Sequence, residues 1–414
     1  MSKDAAKTPL PSRAERREFL EQQLRARTRE WIEMMVNEEL DVALGLGRYE
    51  RGAERRGYRK GKRRRSFTSG TGRHELQMPR GEYFDPGPDG TKQWHSRLIP
   101  RYARRTAEVE DALVQSYLSG TNTRRIKRAL SPLLNGAALS KSTISRIVAR
   151  LSAEYDHWRQ RDLSGEDIAI LFLDGFHLRI RLGGKVEKIP VLGALGVRLD
   201  GRRVMLALEV RTSESAAAWT AVSEDLSRRG VTAPILAVID GNPGLRQAVK
   251  TTWPWIEVQR CTRHKLENLY THAPKRHYDE IKENYQAIIY ADSEALARRA
   301  YRRFEKKWAK DCPAVVKSLH EGGDELLTFF TYPQRMWKML RTTNGLERIN
   351  GEFRRRVKTQ GSLPNGNAAL QLLYGLFAGG MIVLRRIDGW QEMARITQAK
   401  RIKHGLIKPL DSAA

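Results

Sequence analysis

The spacing of apolar positions changes character several times along the chain. A polar leader, MSKDAAKTPLPSRAERR, gives way to EFLEQQLRARTREWIEMMVNEELDVAL, where Leu20, Leu24, Trp31, Met35 and Leu40 roughly keep helical spacing. In RGAERRGYRKGKRRR, residues 51–65, glycines at 52, 57 and 61 argue against a long regular helix. HELQMPRGEYF then alternates as a short strand does, and DPGPDG at 85–90 reads as a loop. Residues 104–151 return to helical spacing in three pieces, RRTAEVEDALVQSYLSG, TNTRRIKRALSPLL and LSKSTISRIVARLSAEY, punctuated by Gly120 and Gly136.

From residue 168 the pattern becomes sheet-like. IAILFLDGFHLRI, VEKIPVLGALGVRLDG and RRVMLALEVRTS predict three strands, with a hairpin turn at LDGRR, residues 199–203. SESAAAWTAVSEDLSRRG predicts an amphipathic helix and APILAVIDGN a buried strand. PGLRQAVKTTW is a helix with Pro243 in its first turn, and WIEVQRC a further strand. This order is that of an α/β domain. Residues 264–335 read as helices only. Two more helices are expected at Asn344–Arg356 and at about 367–386. The second contains LQLLYGLFAGGMIVL, 15 residues, too short to cross a membrane comfortably, and reads as a buried helix.

Charge adds a partner. The 414 residues carry a formal net charge of +27, which calls for a polyanion, nucleic acid ahead of an anionic membrane surface. Hydrophobic residues make up 40%, which excludes a disordered chain. Residues 51–65 hold nine Lys/Arg and one Glu, so Arg55, Arg56, Arg59, Arg63, Arg64 and Arg65 are expected at phosphates. The three helices at 104–160 are arranged as in a helix-turn-helix. Ser140 would cap the third, and Lys141, Ser142 and Ser145 would lie near its start, where such helices meet base edges, with Arg124 and Arg146 as basic flanks. The alternative is a basic three-helix bundle that only packs on its neighbours. Two cysteines, Cys261 and Cys312, imply no disulfide framework and suit a reducing cytosol. The N-terminus lacks the apolar core of a secretory signal.

Three acids stand out. Asp174 follows ILFL and Asp240 follows LAVI, each before a glycine where a turn is expected. Glu347 sits in RTTNGLERINGEFRRRVK, residues 341–358, with six Lys/Arg and two Glu. In a helix, Asn344 and Asn350 lie three residues either side of Glu347, and Arg354 and Arg355 two turns on. Such a face can carry a metal ligand, polar orienters and phosphate clamps. Alternatively Glu347 pairs with Arg341 or Arg348. Carboxylates that share two divalent ions serve both ends of an in-line phosphoryl displacement, and hard oxygen ligands suit Mg²⁺, with Mn²⁺ as the alternative.

The ordered set of motifs resembles the Mutator-like family of bacterial insertion-sequence transposases. It comprises GYRKG at 57–61, SGTNTRRI at 119–126 with SKSTISRI at 140–147, and FLDGFHLRI at 172–180. VIDGNPGLRQAV at 238–249 follows with QRCTRHKLENL at 259–269, then residues 341–358. The resemblance implies a multidomain α plus α/β protein. Its RNase H-like mixed-sheet catalytic core, at 165–263 and 336–400, is interrupted by an all-helical insertion at 264–335. Helical DNA-binding modules precede the core, divided into an N-terminal helical region at 1–50, a basic DNA-binding region at 51–103 and a helix-turn-helix domain at 104–160, and a basic tail at 401–414 follows. It implies catalytic, metal-binding Asp174, Asp240 and Glu347 with two ions per site. Cys261 and His264 map to the family's Cys-x-x-His pair and are expected to support the core with Asn344 and Asn350. Zinc is not expected, since it wants four ligands and Cys312, His272 and His277 are poorly spaced for it.

The implied partners are double-stranded DNA, as terminal inverted repeats and target, and further copies of the chain in a homodimer or larger assembly. The implied reaction is strand cleavage and transfer by a 3′-hydroxyl, through a circular intermediate in many relatives, in the cytoplasm and nucleoid of a prokaryote. A catalytically silent DNA-binding regulator and a nuclease that cuts without joining are the rivals. The loop DPGPDGTKQWHSRLIP, and Phe176 and His177 after the first Asp-Gly, depart from the family's usual pattern.

Overall fold

The computed structural model describes residues 12–85, 90–118, 141–182, 185–358, 363 and 365–408, with the side chains at 115, 117, 118, 141–148, 182 and 356–358 outside the description. The chain divides into two compact units, Met1–Ser145 and Arg146–Ala414.

In the first unit, α1 (Arg13–Leu44) starts on a capping box of Ser12 and Glu15 and ends at Gly45. Of the stripe expected on this helix, only Leu40 is buried, with Val36 and Leu44. Leu20, Leu24, Trp31 and Met35 are exposed. The helix packs by its C-terminal half against an antiparallel sheet of β1 (Gly57–Ser69), β2 (Gly72–Phe84) and β3 (Thr91–Gln93), in that order. The basic run is therefore not part of a helical module: it is the first strand of a hairpin. A register shift between Arg59 and Lys62, at Gly61, accommodates the glycines within the strand. Alternation then sends Phe67 inward, where it meets Val36, Leu76, Met78 and Ile99. Among the described residues α2 (Ala107–Leu118) follows, and α3 (Lys141–Gln160) belongs mostly to the second unit. The middle piece of the expected helix-turn-helix, with Arg124 and Ser140, lies outside the described residues, as do the side chains of Lys141, Ser142, Ser145 and Arg146.

The second unit is built on a mixed sheet. Strands β4 (Ile168–Leu182), β5 (Lys185–Arg198) and β6 (Arg203–Val210) form an antiparallel meander, turned at 199–202 as the sequence predicts. After α4 (Ala216–Arg228), β7 (Leu236–Ile239) pairs parallel to β4. After α5 (Pro243–Thr252), β8 (Glu257–Arg260) pairs parallel to β7. The order is β6-β5-β4-β7-β8. One face is covered by α4 and α5, whose Trp219, Leu226, Leu245 and Trp253 pack on Leu171, Leu173, Leu192 and Ala237. The buried Trp253 indole N–H is satisfied by Val231 O at 3.0 Å.

The insertion is helical throughout, with α6 (Thr262–Thr271), α7 (Tyr278–Ile289), α8 (Glu294–Asp311), α9 (Pro313–Gly322) and α10 (Gln334–Leu340). It has its own core around Tyr285, Phe304, Trp308 and Leu319. The chain then returns as α11 (Asn344–Lys358), which lays Phe353 on Phe176 of β4 with ring centroids 5.5 Å apart. The next helix, α12 (Gly366–Ala378), is shorter than predicted. Gly379 caps it and Gly380 adopts φ 68, a left-handed turn that ends the helix, so Val383 is exposed rather than buried. Finally α13 (Met393–Lys403) crosses the expected boundary at 401. Arg401 is no part of a free tail: it pairs with Asp167 at 2.8 Å and donates to Ala233 O, fastening the helix beside the start of β4.

Candidate active site

Asp174 does not end its strand. β4 runs on for eight residues to Leu182, and Gly175 makes no turn. What ends there is the neighbour. β7 pairs with β4 only as far as Leu173–Ile239, and Asp240 follows at once. Because paired residues on adjacent parallel strands share a face, Asp174 and Asp240 emerge side by side where the sheet narrows. Leu171 and Leu173 belong to the core under α4 and α5, so Asp174 takes the opposite face, toward α11.

The glycine has another purpose. A Cβ at Gly175 would lie 2.5 Å from Glu214 Oε1, so its absence admits the Glu214 carboxylate against the strand. Glu214 is also 3.8 Å from His177 Nδ1. Its main-chain oxygen accepts a bond from Asn242 Nδ2 at 3.3 Å. Asn242 also caps α5 through Gly244 N and Leu245 N, and its own N–H donates to Asp240 Oδ1 at 2.8 Å. The sequence DGNP thus fixes Asp240, starts a helix and holds the Glu214 loop.

Glu347 arrives from α11, and its approach is set by stitching between two distant segments. Thr262 N and Oγ1 both donate to Arg341 O, at 2.9 and 3.0 Å. Buried Cys261 accepts at Sγ from Thr343 N and Oγ1, each at 3.5 Å. This places Glu347 beside α6. Arg263 Nη1 donates to Glu347 Oε2 at 2.8 Å, and His264 Nε2 stands 3.7 Å from Oε1. The partner is therefore neither Arg341 nor Arg348. Arg341 is taken up by Tyr290, over whose ring it lies at 4.5 Å, and by Ile289 O.

The electrostatics couple these groups. Asp174 is 5% exposed. Burial pushes its pKa up to about 7; the charge of His264, next in size, pulls the other way, and Asp240, Glu347 and Glu214 each add to the rise. His264 is raised to about 9, first by Cys261 and then by the nearby Asp174 and Glu347, against the cost of burial. Burial alone would raise the Cys261 thiol, but His264 outweighs it and brings it below its ordinary value.

Donor atoms of Cys261, His264 and Glu347 lie within 4.8 Å of one another and could hold a metal ion. They are the one such group of three among the described residues, and Asp174 and Asp240 do not join them at that separation. Cys312, in the insertion core, and His272 and His277 are outside the group too. The residues fit a cation on two counts. Asp174 faces three other carboxylates with His264 as the one opposing charge, and the His264 Nδ1 atom is buried without a hydrogen-bond acceptor or donor in reach among the described residues. Thiolate and imidazole are zinc-type ligands, whereas the aspartates suit a hard ion. Glu347 is common to both sets.

The remaining expected residues divide. Asn344 is exposed, whereas Asn350 is 3% exposed with Oδ1 unpartnered among the described residues, so the two do not flank Glu347 alike. Arg354 is exposed, and Arg355 pairs with Glu352. Arg55 and Arg56 are exposed, Arg55 over the Tyr58 ring. Arg63 and Arg64 are exposed. Arg59 pairs with Asp41 on α1 and donates to Asn37, and Arg65 donates to Ile99 O, Pro100 O and Ala103 O, so both serve the fold. Sequence reasoning missed Arg263, although it lies between Cys261 and His264. It also missed Glu214, for which only its place before a helix offered a sign.

The profile described as "Transposase, Mutator family" matches residues 4–381. The chain is 32% identical to the transposase for insertion sequence element ISRM5 of Rhizobium meliloti over 372 residues, covering 90% of this chain and 89% of that one. It is 31% identical to the transposase for element IS406 of Burkholderia multivorans, covering 84% and 89%. With the transposase for element IS6120 of Mycolicibacterium smegmatis it shares 35% identity, covering 65% and 83%. The chain belongs to the Mutator family of transposases.

Proposed function

We propose that this transposase binds the terminal inverted repeats of an insertion sequence, cleaves DNA at the element ends and joins the released 3′-hydroxyl to another strand through a circular intermediate. The core is read as RNase H-like, with Asp174, Asp240 and Glu347 as its catalytic carboxylates. One observation carries the reading. Asp240 and Glu347, from β7 and α11, both act on the buried Asp174 of β4, so three acids more than sixty residues apart in sequence share one electrostatic site. Two Mg²⁺ or Mn²⁺ ions bound there would supply activation of the attacking oxygen and stabilisation of the leaving one. The protein's own part is placement. β4 and β7 hold the aspartates rigidly, the Cys261–Thr343 stitching fixes α11, and Arg354 lies on the exposed part of that helix two turns beyond Glu347, where it can meet a flanking phosphate.

The assembly is proposed to be a homodimer or larger on DNA, in the cytoplasm and nucleoid of a prokaryote. No helix among the described residues is long and apolar enough to cross a membrane. The test is an assay of full-length protein with labelled element ends, intact and pre-nicked, a circular target and Mg²⁺. Joined product supports a transposase. Cleavage without joining would indicate a nuclease, and binding without either a silent regulator.

A further inference from the structure

Beside β1 runs an open groove of about 540 Å³. One wall is the hairpin, with Arg63, Arg64 and Arg73; the other is the segment 101–105, with Arg101 and Arg104. No acidic side chain among the described residues lines it. We infer that this groove is a preformed seat for the phosphodiester backbone of duplex DNA, and that its second wall, Arg101 and Arg104, contacts phosphates as fully as the hairpin does. The inference rests on the DNA-binding reading above and assigns contacts that the basic run at 51–65 does not contain.

The seat is rigid before any ligand arrives. Thr68 N donates to Arg104 O at 2.9 Å, and Thr106 N to Thr68 O at 2.9 Å, so main-chain bonds dock the second wall along the end of β1. Arg65 reinforces it from beneath through Ile99 O, Pro100 O and Ala103 O. The Arg101 guanidinium lies over the Tyr102 ring at 5.7 Å, which gives it a direction. Preorganised donors lose less freedom on binding than a mobile basic tail does.

The seat is also short of negative charge. Arg63 and Arg104 lie near enough to Arg65 that, after burial, their charges are the next causes lowering its pKa. Arg73 has Glu75 at 3.1 Å, outside the groove lining, but Arg63, Arg64, Arg101 and Arg104 form no ion pair among the described residues. Crowded, unpaired guanidinium groups with fixed directions suit a ligand that presents regularly spaced anions. A double-stranded backbone does so without regard to sequence.

The experiment uses the full chain and fluorescence anisotropy on two duplexes, one carrying the inverted repeat and one scrambled, across a salt series. Each phosphate contact contributes about 0.9 to the slope of log K against log salt. Arg101→Ala with Arg104→Ala should therefore flatten the slope by roughly 2, as should Arg63→Ala with Arg64→Ala. The loss should be the same on both duplexes. Main-chain bonds dock the second wall, so the Arg101/Arg104 variant should keep the wild-type denaturation midpoint. An Arg101/Arg104 variant with wild-type affinity and slope, beside a hairpin pair that loses both, would overturn the groove while leaving DNA binding intact. Wild-type protein that binds neither duplex would overturn the DNA-binding reading itself.

Discussion

Replacing Asp174 by Asn removes a negative charge that the fold is poorly built to bear alone. The ordinary carboxyl midpoint of 3.8 is moved to about 7 by burial and by Asp240, Glu347 and Glu214, with only His264 opposing. The folded chain therefore holds a proton here that the unfolded chain gives up, over the interval between those two values. Stability falls with rising pH wherever the folded state binds more protons. The contribution of Asp174 is thus complete below 3.8 and is lost progressively until the pH passes about 7. At about 1.36 kcal/mol per pH unit over roughly three units, the loss is about 4 kcal/mol. Asn imitates the neutral acid at every pH. In chelator, urea denaturation should find Asp174→Asn close to wild type near pH 4, and more stable by about 4 kcal/mol near pH 8. A divalent cation should close the gap by stabilising wild type alone. A difference between the two proteins that does not change with pH would refute the burial of an uncompensated charge at this position.

Other substitutions test the surrounding structure. Arg65→Met should cost about 2 kcal/mol in denaturant stability, because three carbonyls lose a charged donor, whereas exposed Arg64→Ala should stay within about 0.5 kcal/mol; equal effects would refute the division between fold and ligand. Gly175→Ala forces a Cβ to within 2.5 Å of Glu214 Oε1 and should cost about 1–3 kcal/mol. Adding Glu214→Ala should recover most of that loss, and purely additive costs would mean the two do not touch. Arg263→Ala frees Glu347 from a half-exposed ion pair, so stability should change by less than about 1 kcal/mol. Calorimetric titration should show Mn²⁺ binding more tightly to this variant, and weaker binding would mean that Arg263 does not compete for the carboxylate.

Local pattern carried much of this fold because several elements are locally determined. The β5–β6 hairpin has a short turn at 199–202 between apolar runs, and α5 has Pro243 inside an Asn242 cap. Failures occurred where a distant contact decides. The basic run is a strand because Phe67 of β1 and Leu76 of β2 share a core with Val36 of α1, a packing invisible from residues 51–65 alone. Asp174 looked like a strand end because a glycine follows it, yet Gly175 answers to Glu214, thirty-nine positions away. The stripe on α1 was periodic, but only Val36, Leu40 and Leu44 of the helix are buried. Among the site residues, Asp174, Asp240 and Glu347 were legible as acids in unusual settings. The Arg263–Glu347 pair joins α6 to α11 across the whole insertion, and no local spacing signals it.

The proposed catalytic role of Asp174, Asp240 and Glu347 is tested most directly by single-turnover cleavage of a labelled element end in Mg²⁺. Wild type is compared at saturating DNA with Asp174→Asn, Asp240→Asn and Glu347→Gln. Each variant should bind DNA at least as tightly as wild type, since negative charge is lost near phosphates, and each should be devoid of both cleavage and joining. A near-wild-type rate from any one of the three would remove that residue from the catalytic site and contradict a three-carboxylate mechanism.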